Sequence, residues 1–253
     1  MKLLSSDRII PLLFFLSLSV QVFCQSNADK NKNTPVISYG RPNIPGELGF
    51  DFGIVYAPDF PDAIKISLLR SLYFSPYYRY EFFIPKTRFS ILTGLSVGCE
   101  KFRFKDAVTV QYLPDAEYKF SDQVVRLDTV YYNSPIRKSK LQVNYLEIPL
   151  ELRFRSNKNY PRSSFNISVG GKVGLLINAH TKINYVQSGV RKTVKQAESF
   201  DLSPIRYGLE GRIGFGPFNV FYYYSLNTMF KKNRGPDGNI SKPVLLGISF
   251  SLF

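Results

Sequence analysis

From Leu146 to Arg155 the chain alternates without a break. Leu146, Ile148, Leu150, Leu152 and Phe154 share one face; Tyr145, Glu147, Pro149, Glu151, Arg153 and Arg155 share the other. A period of two predicts a β-strand with one apolar and one polar side. Seven more segments repeat the pattern: 47–57, 72–84, 88–102, 164–178, 204–215, 218–230 and 243–253. In each the apolar parity is free of charge (Phe50 and Phe52, Phe74 and Phe82, Val169 and Val173, Leu246 and Ile248), while Asp51, Arg79, Glu81, Lys172, Arg206, Glu210 and Arg212 fall on the other parity. Helical periodicity is confined to the first two dozen residues.

Eight strands make an even number, and their connections run long, short, long, short, long, short, long. Outer-membrane barrels have short turns on the periplasmic side and long loops outside. The pattern therefore predicts an all-β fold, an eight-stranded antiparallel up-and-down transmembrane β-barrel with short periplasmic turns and long extracellular loops. A soluble barrel inverts the arrangement, carrying charge outside and apolar side chains inside. Pro149 sits mid-strand, where it cannot donate a ladder hydrogen bond, so a β-bulge is expected there. The stretches 103–142 and 179–203 read as long, charged loops.

Composition adds the compartment. Lys2 and Arg8 precede an apolar run over 9–23, too short to span a bilayer, and Cys24-Gln25-Ser26 follows it. Residues 1–24 thus read as a cleaved secretory signal, 25–46 as a Pro-containing periplasmic linker and 47–253 as the barrel. The formal charge is +14 at pH 7. Such a balance points to anionic partners, and export makes lipid phosphates the candidate rather than nucleic acid. Cys99 is the one cysteine beyond the signal, which leaves no disulfide framework and no cysteine-rich metal site.

The run Tyr145-Leu146-Glu147-Ile148-Pro149-Leu150, the strand Gly170-Gly171-Lys172-Val173-Gly174 and the ending Gly247-Ile248-Ser249-Phe250-Ser251-Leu252-Phe253 resemble the PorT-like outer-membrane β-barrel family of Bacteroidetes. The resemblance covers roughly 47–253 and implies an outer-membrane barrel of about eight strands. The family's namesake belongs to the type IX secretion machinery, and no motif here carries that role across.

Three classes of function remain. A barrel enzyme acting on outer-membrane lipid needs a histidine beside a nucleophile, and the single histidine, His180, reads as a loop residue. Glu147 and Glu151 lie four residues apart on one strand face, about 13 Å at ~3.3 Å per residue, too far for a glycosidase pair. No cofactor or metal is expected. Transport is disfavoured because eight strands enclose an interior that side chains just fill. A structural or interaction barrel acting through its extracellular loops fits best, with outer-membrane lipid, lipopolysaccharide and other envelope proteins as partners. Lys182, Lys192, Lys231 and Lys232 are the expected lipopolysaccharide contacts. Asp51, Arg79, Glu81, Glu147, Glu151, Lys172, Arg206, Glu210 and Arg212 are expected to form a lumenal salt-bridge network, with Glu147 opposite Lys172 across a hairpin.

Overall fold

The computed structural model describes residues 46–58, 60, 64–110, 124–127, 134–157, 163–232, 234–236 and 241–252. The signal segment and most of the linker fall outside them. Within them the chain forms β1 (Glu47–Tyr56), a single 3-10 turn (Leu68–Arg70), β2 (Leu72–Phe83), β3 (Phe89–Arg103), β4 (Val108–Val110), β5 (Val124–Arg126) and β6 (Ile136–Arg155). There follow β7 (Phe165–Gln187), β8 (Val190–Ala197), β9 (Ile205–Phe215), β10 (Phe218–Ser225) and β11 (Val244–Ser251). Eight of the strands pair as an antiparallel ring in the order β1-β2-β3-β6-β7-β9-β10-β11, closed by β11 on β1. The remaining three are additions at the loop end: β4 and β5 make a short hairpin, and β8 extends the sheet beside the upper half of β7.

Burial shows which way the barrel faces. Leu150, Val169, Phe218 and Ile248 are each more than 60% exposed, and every strand of the ring contributes exposed apolar residues to one outer band. Asp51, Arg79, Glu147, Glu151, Lys172, Arg206, Glu210 and Arg212 are at most 4% exposed, on the inside. A soluble monomer rarely shows water an apolar patch beyond a few hundred Å². An encircling aliphatic band around a charged interior is the arrangement of a barrel solvated by lipid. Phenylalanines collect at the turn-end margin of the band, where Phe89 packs on Phe154 and Phe250 touches both Phe50 and Phe218. Tyr56, Tyr207 and Tyr224 stand toward the loop end. Aromatic girdles of this kind flank the apolar zone of outer-membrane barrels.

Pro149 does not bulge. Thr93 pairs with Leu150 and Ser96 with Glu147, so the register of β3 on β6 is the same on both sides of the proline. The missing donor merely interrupts the ladder at Gly94 and Leu95, and the Thr93 hydroxyl donates to the Pro149 carbonyl at 2.9 Å. Irregularities do occur in the pairing of β6 with β7, higher up, at Asn144/Tyr145 and Ile136/Lys138. The hairpin register also differs from the expected one by two residues. Lys172 lies opposite Pro149, and Glu147 lies opposite Gly174.

The larger correction concerns the loops. β6 begins at Ile136 and β7 runs to Gln187, so much of what reads as loop in the sequence is strand. The apolar band uses only the lower part of each, up to Leu146 and Ile177. Above it, β3, β6, β7 and β8 stand clear as one tall wall, while β10 and β11 end after eight residues each. The wall's inner face carries Phe102, Leu141, Val143, Ala179, Ile183 and Tyr185. Loop residues Phe104, Leu127, Phe200 and Phe230 and the β4 residues Val108 and Val110 bury against this side of the molecule.

Candidate functional site

The charged lumen is built from the inward parity of six ring strands. β1 supplies Asp51, β2 Arg79, β3 Glu100, β6 Glu147 and Glu151, β7 Lys172, and β9 Arg206, Glu210 and Arg212. At the loop-end side Arg206 binds Glu100 and donates to Glu147 at 2.6 Å. Glu147 also meets the Lys172 ammonium at 3.4 Å, and Lys172 reaches Glu210 at 3.2 Å. Glu210 binds Arg212, which holds Asp51 through both terminal nitrogens at 2.9 and 2.7 Å and meets Glu151 at 3.3 Å. Arg79 closes the circuit against Asp51 at 3.2 Å and Glu151 at 3.9 Å. These groups form one connected chain of ion pairs from Glu100 down to Asp51.

Tyrosines fill the space between the charges. Tyr73 donates to Glu147 at 3.0 Å. The Arg79 guanidinium lies 3.9 Å from the Tyr77 ring centre, Arg206 4.3 Å from Tyr145, and the Lys172 ammonium 4.4 Å from Tyr223. Such stacking satisfies cations in a desolvated space. Gly98 makes room for it: a β-carbon there would sit 2.7 Å from the Glu147 carboxylate.

Above this layer the lumen changes material. Val55, Phe102, Phe104, Leu141, Phe200 and Phe230 belong to one buried apolar cluster that draws on barrel wall and loops together. Below it, at the turn end, Arg155 grips Glu81 at 2.6 Å and Arg153 holds Glu47 at 2.8 Å. These four line a cavity of about 670 Å³ together with Phe250 and Leu252.

A family comparison agrees with this architecture. The outer membrane protein beta-barrel domain matches residues 42–231, most of the chain. The chain belongs to that family. Its place is the outer membrane. Among solved structures the chain is similar to Ail, the attachment invasion locus protein of Yersinia pestis. The crystal structure of Ail with the heparin analogue sucrose octasulfate gives 13% identity and a TM-score of 0.34, covering 83% of this chain and all of that one. A second crystal structure of Ail gives 14% and 0.33 with the same coverage. No curated protein matches the chain.

The nine residues read from the sequence as a lumenal network divide into two groups. Eight join the central chain of ion pairs, whereas Glu81 belongs to the turn-end cluster with Arg153 and Arg155. Lys172 touches Glu147 diagonally, since the register sets them two residues apart. Glu100, Glu47, Arg153, Arg155 and the tyrosines Tyr73, Tyr77, Tyr145 and Tyr223 were missed, although all share the inward parity. The four surface lysines are not brought together. Lys182 lies on the outer face of β7. Lys192 pairs with Tyr185 on the opposite parity and donates to Gln187. Lys231 and Lys232 sit in the loop after β10, where the Lys231 amide bonds to the Asp201 carbonyl. His180 is a strand residue, not a loop one, and lies opposite Gln142. Partial burial, with Lys195, Lys140 and Lys182 nearby, holds its pKa below the usual histidine value.

Proposed function

We propose that this is a non-enzymatic, non-conducting outer-membrane barrel that works as a structural or interaction protein through its extracellular end. One observation carries the reading: a continuous ion-pair network fills the middle of the lumen, and an apolar plug lies above it. Charges so enclosed are stable only when paired, because an unpaired buried ion costs several kcal/mol. A hydrated channel would instead leave them exposed to water. What stands free is the tall wall and the loops around it, and loops and edges on a rigid scaffold are where binding is concentrated.

Planar-bilayer recording tests the reading. Pure protein is expected to give no sustained conductance, and a steady open level would refute it. The sequence resemblance to the PorT-like barrels supports a place near that group within the family. The same reading has residues 1–24 removed on export. N-terminal sequencing of the membrane fraction is expected to begin near Gln25, and an intact Met1 would contradict it.

A further inference from the structure

Among the described residues, the outer face of the tall wall is the surface where strand pairing concentrates a single charge. Arg103 lies opposite Lys140, Lys140 opposite Lys182, and Lys182 opposite Lys195, giving a row of four cations across β3, β6, β7 and β8. Directly opposite residues on antiparallel strands share a face, and like charges so placed repel. The row below is Lys101, Gln142 and His180, and the row above includes Lys138 opposite Asn184. None of Lys101, Arg103, Lys138, Lys140, Lys182 and Lys195 makes an ion pair among the described residues. Their near neighbours are amides: Lys140 donates to Gln142 at 3.1 Å, Gln142 to Asn144 at 3.4 Å, and Asn144 to Asn178 at 2.5 Å.

A second feature adjoins this face. At its upper edge a cleft of about 250 Å³ is lined by Arg70, Arg103, Lys105, Arg137 and Lys138, with Asp106 the one carboxylate. The irregularity in β6 at Ile136/Lys138 falls beside Arg137, whose carbonyl accepts a bond from the Arg103 guanidinium at 3.4 Å. The crowding is also visible in protonation. Partial burial and the charges of Lys101, Lys138, Lys182 and Lys195 push Lys140 down to about 8.

Height selects the occupant. The last aliphatic residue of the band on β6 is Leu146, and Lys140 is six residues further on. At ~3.3 Å per residue and a tilt of about 40°, that places its row roughly 15 Å above the edge of the apolar zone. A phospholipid headgroup layer accounts for only about 5–8 Å on each side of the hydrocarbon. Phosphates at the height of the row belong to a taller headgroup, one that carries them on sugars.

We propose that the outer face of β3, β6, β7 and β8, with its adjoining cleft, binds the phosphorylated sugar headgroup of an outer-leaflet glycolipid. The proposal rests on the outer-membrane reading and deepens it by naming a partner. Cations without an ion-pair partner among the described residues lie at headgroup height, the amides between them supply donors and acceptors for sugar hydroxyls, and the apolar wall directly beneath accommodates acyl chains. The occupied face relieves the repulsion that the bare face carries.

The test uses the full chain in phosphatidylcholine vesicles, with insertion checked by flotation. The probe is a fluorescent lipopolysaccharide with a phosphorylated inner core, compared with its enzymatically dephosphorylated form and with phosphatidylglycerol. Each cation at an anionic lipid surface is worth about fivefold in affinity. The triple variant Lys101→Gln, Lys140→Gln, Lys182→Gln is therefore expected to lose roughly 100-fold. The triple variant Lys192→Gln, Lys231→Gln, Lys232→Gln carries the same change in net charge and is expected to bind as the parent does. Equal loss in both variants, indifference to dephosphorylation, or equal binding of phosphatidylglycerol overturns the proposal while flotation stays intact. Failure to float overturns the outer-membrane reading itself. A measurement on the parent protein guards against a misfolded variant. The glycolipid is expected to shield Lys101, Lys140, Lys182 and Lys195 from amine acylation and to leave Lys192, Lys231 and Lys232 reactive; uniform reactivity refutes the site.

Discussion

Replacing Glu147 tests whether the lumen is held by one network or by independent pairs. Its carboxylate takes a bond from Arg206 at 2.6 Å, from Tyr73 at 3.0 Å and from Ser96 at 3.2 Å, and meets Lys172 at 3.4 Å. At an effective dielectric near 20, a charge pair at the Lys172 distance is worth about 5 kcal/mol before desolvation. Breaking a buried pair by removing one partner costs ~3–5 kcal/mol, because the other ion stays buried. In Glu147→Gln both stranded cations keep a second carboxylate, Glu210 for Lys172 and Glu100 for Arg206. The loss therefore falls at the lower end, about 3 kcal/mol. Removing the partner as well, in Glu147→Gln with Lys172→Met, deletes one charge of each sign. The double variant is then expected to be at least 1 kcal/mol more stable than the two single losses added together. Reversible urea unfolding in lipid vesicles measures this, followed by far-UV circular dichroism because the chain has no tryptophan. Strict additivity, or a Glu147→Gln barrel as stable as the parent, would show that the charges act independently and that the network reasoning is wrong.

Two further outcomes are expected. Leu150→Lys puts a charge in the middle of the lipid-facing band, midway between Leu146 and Phe154, at a side chain 61% exposed, and is expected to destabilise the membrane-inserted barrel by about 2–4 kcal/mol. An unchanged urea midpoint would refute the lipid-facing assignment. Lys140, held near 8 against an ordinary 10.5, is expected to acylate faster at pH 8 in the folded barrel than in the unfolded chain. The unfolded chain binds more protons than the folded one between those two values, so this group makes the barrel more stable as pH rises through that window. A reactivity profile for Lys140 centred near 10.5 would show that the cationic row does not crowd it.

Parity carried the fold. Alternation in eight segments is a local property, so Leu146–Arg155 could be placed with its lipid and lumen faces from the sequence alone, and so could Asp51, Arg79 and Glu210. Loop and strand at the extracellular end were not legible. Above Leu146 the outer parity of β6 switches to Asn144, Gln142, Lys140 and Lys138, and the apolar signal that marks a strand disappears. β7 adds a slipped residue at Ile177, which shifts the parity of everything after it, so Asn178, His180 and Lys182 face outward instead of Ala179 and Thr181. Register was a second blind spot. A two-residue slip preserves faces, and so parity is indifferent to it. The same indifference explains Lys172, which reaches Glu147 diagonally through a long side chain. Glu100 was readable, since it shares the inward parity of Ser96 and Gly98, but nothing local marks it as the partner of Arg206, 106 residues away.

The division of the barrel into layers follows from one constraint. In lipid every backbone group must be paired within the protein, so the ring must close and its inward side chains must fill what the ring encloses. The ring closes around a narrow space, and alternation forces that filling to be chosen independently of the lipid-facing residues. An apolar filling throughout would make both parities hydrophobic, and register and orientation would then be weakly specified. Charges at fixed depths resolve this. Arg212 meets Asp51 and Glu151 only when β1, β6 and β9 stand at one relative height, so a slip of any of these three strands leaves a buried ion unpaired. The apolar plug begins where the wall rises out of the bilayer and water returns outside. There the inner face is apolar and the outer face becomes polar, the reverse of the arrangement below. The inversion at Asn144 and Asn178 is thus where the chain passes from lipid to headgroup, and it is also where the cationic rows of the outer face begin.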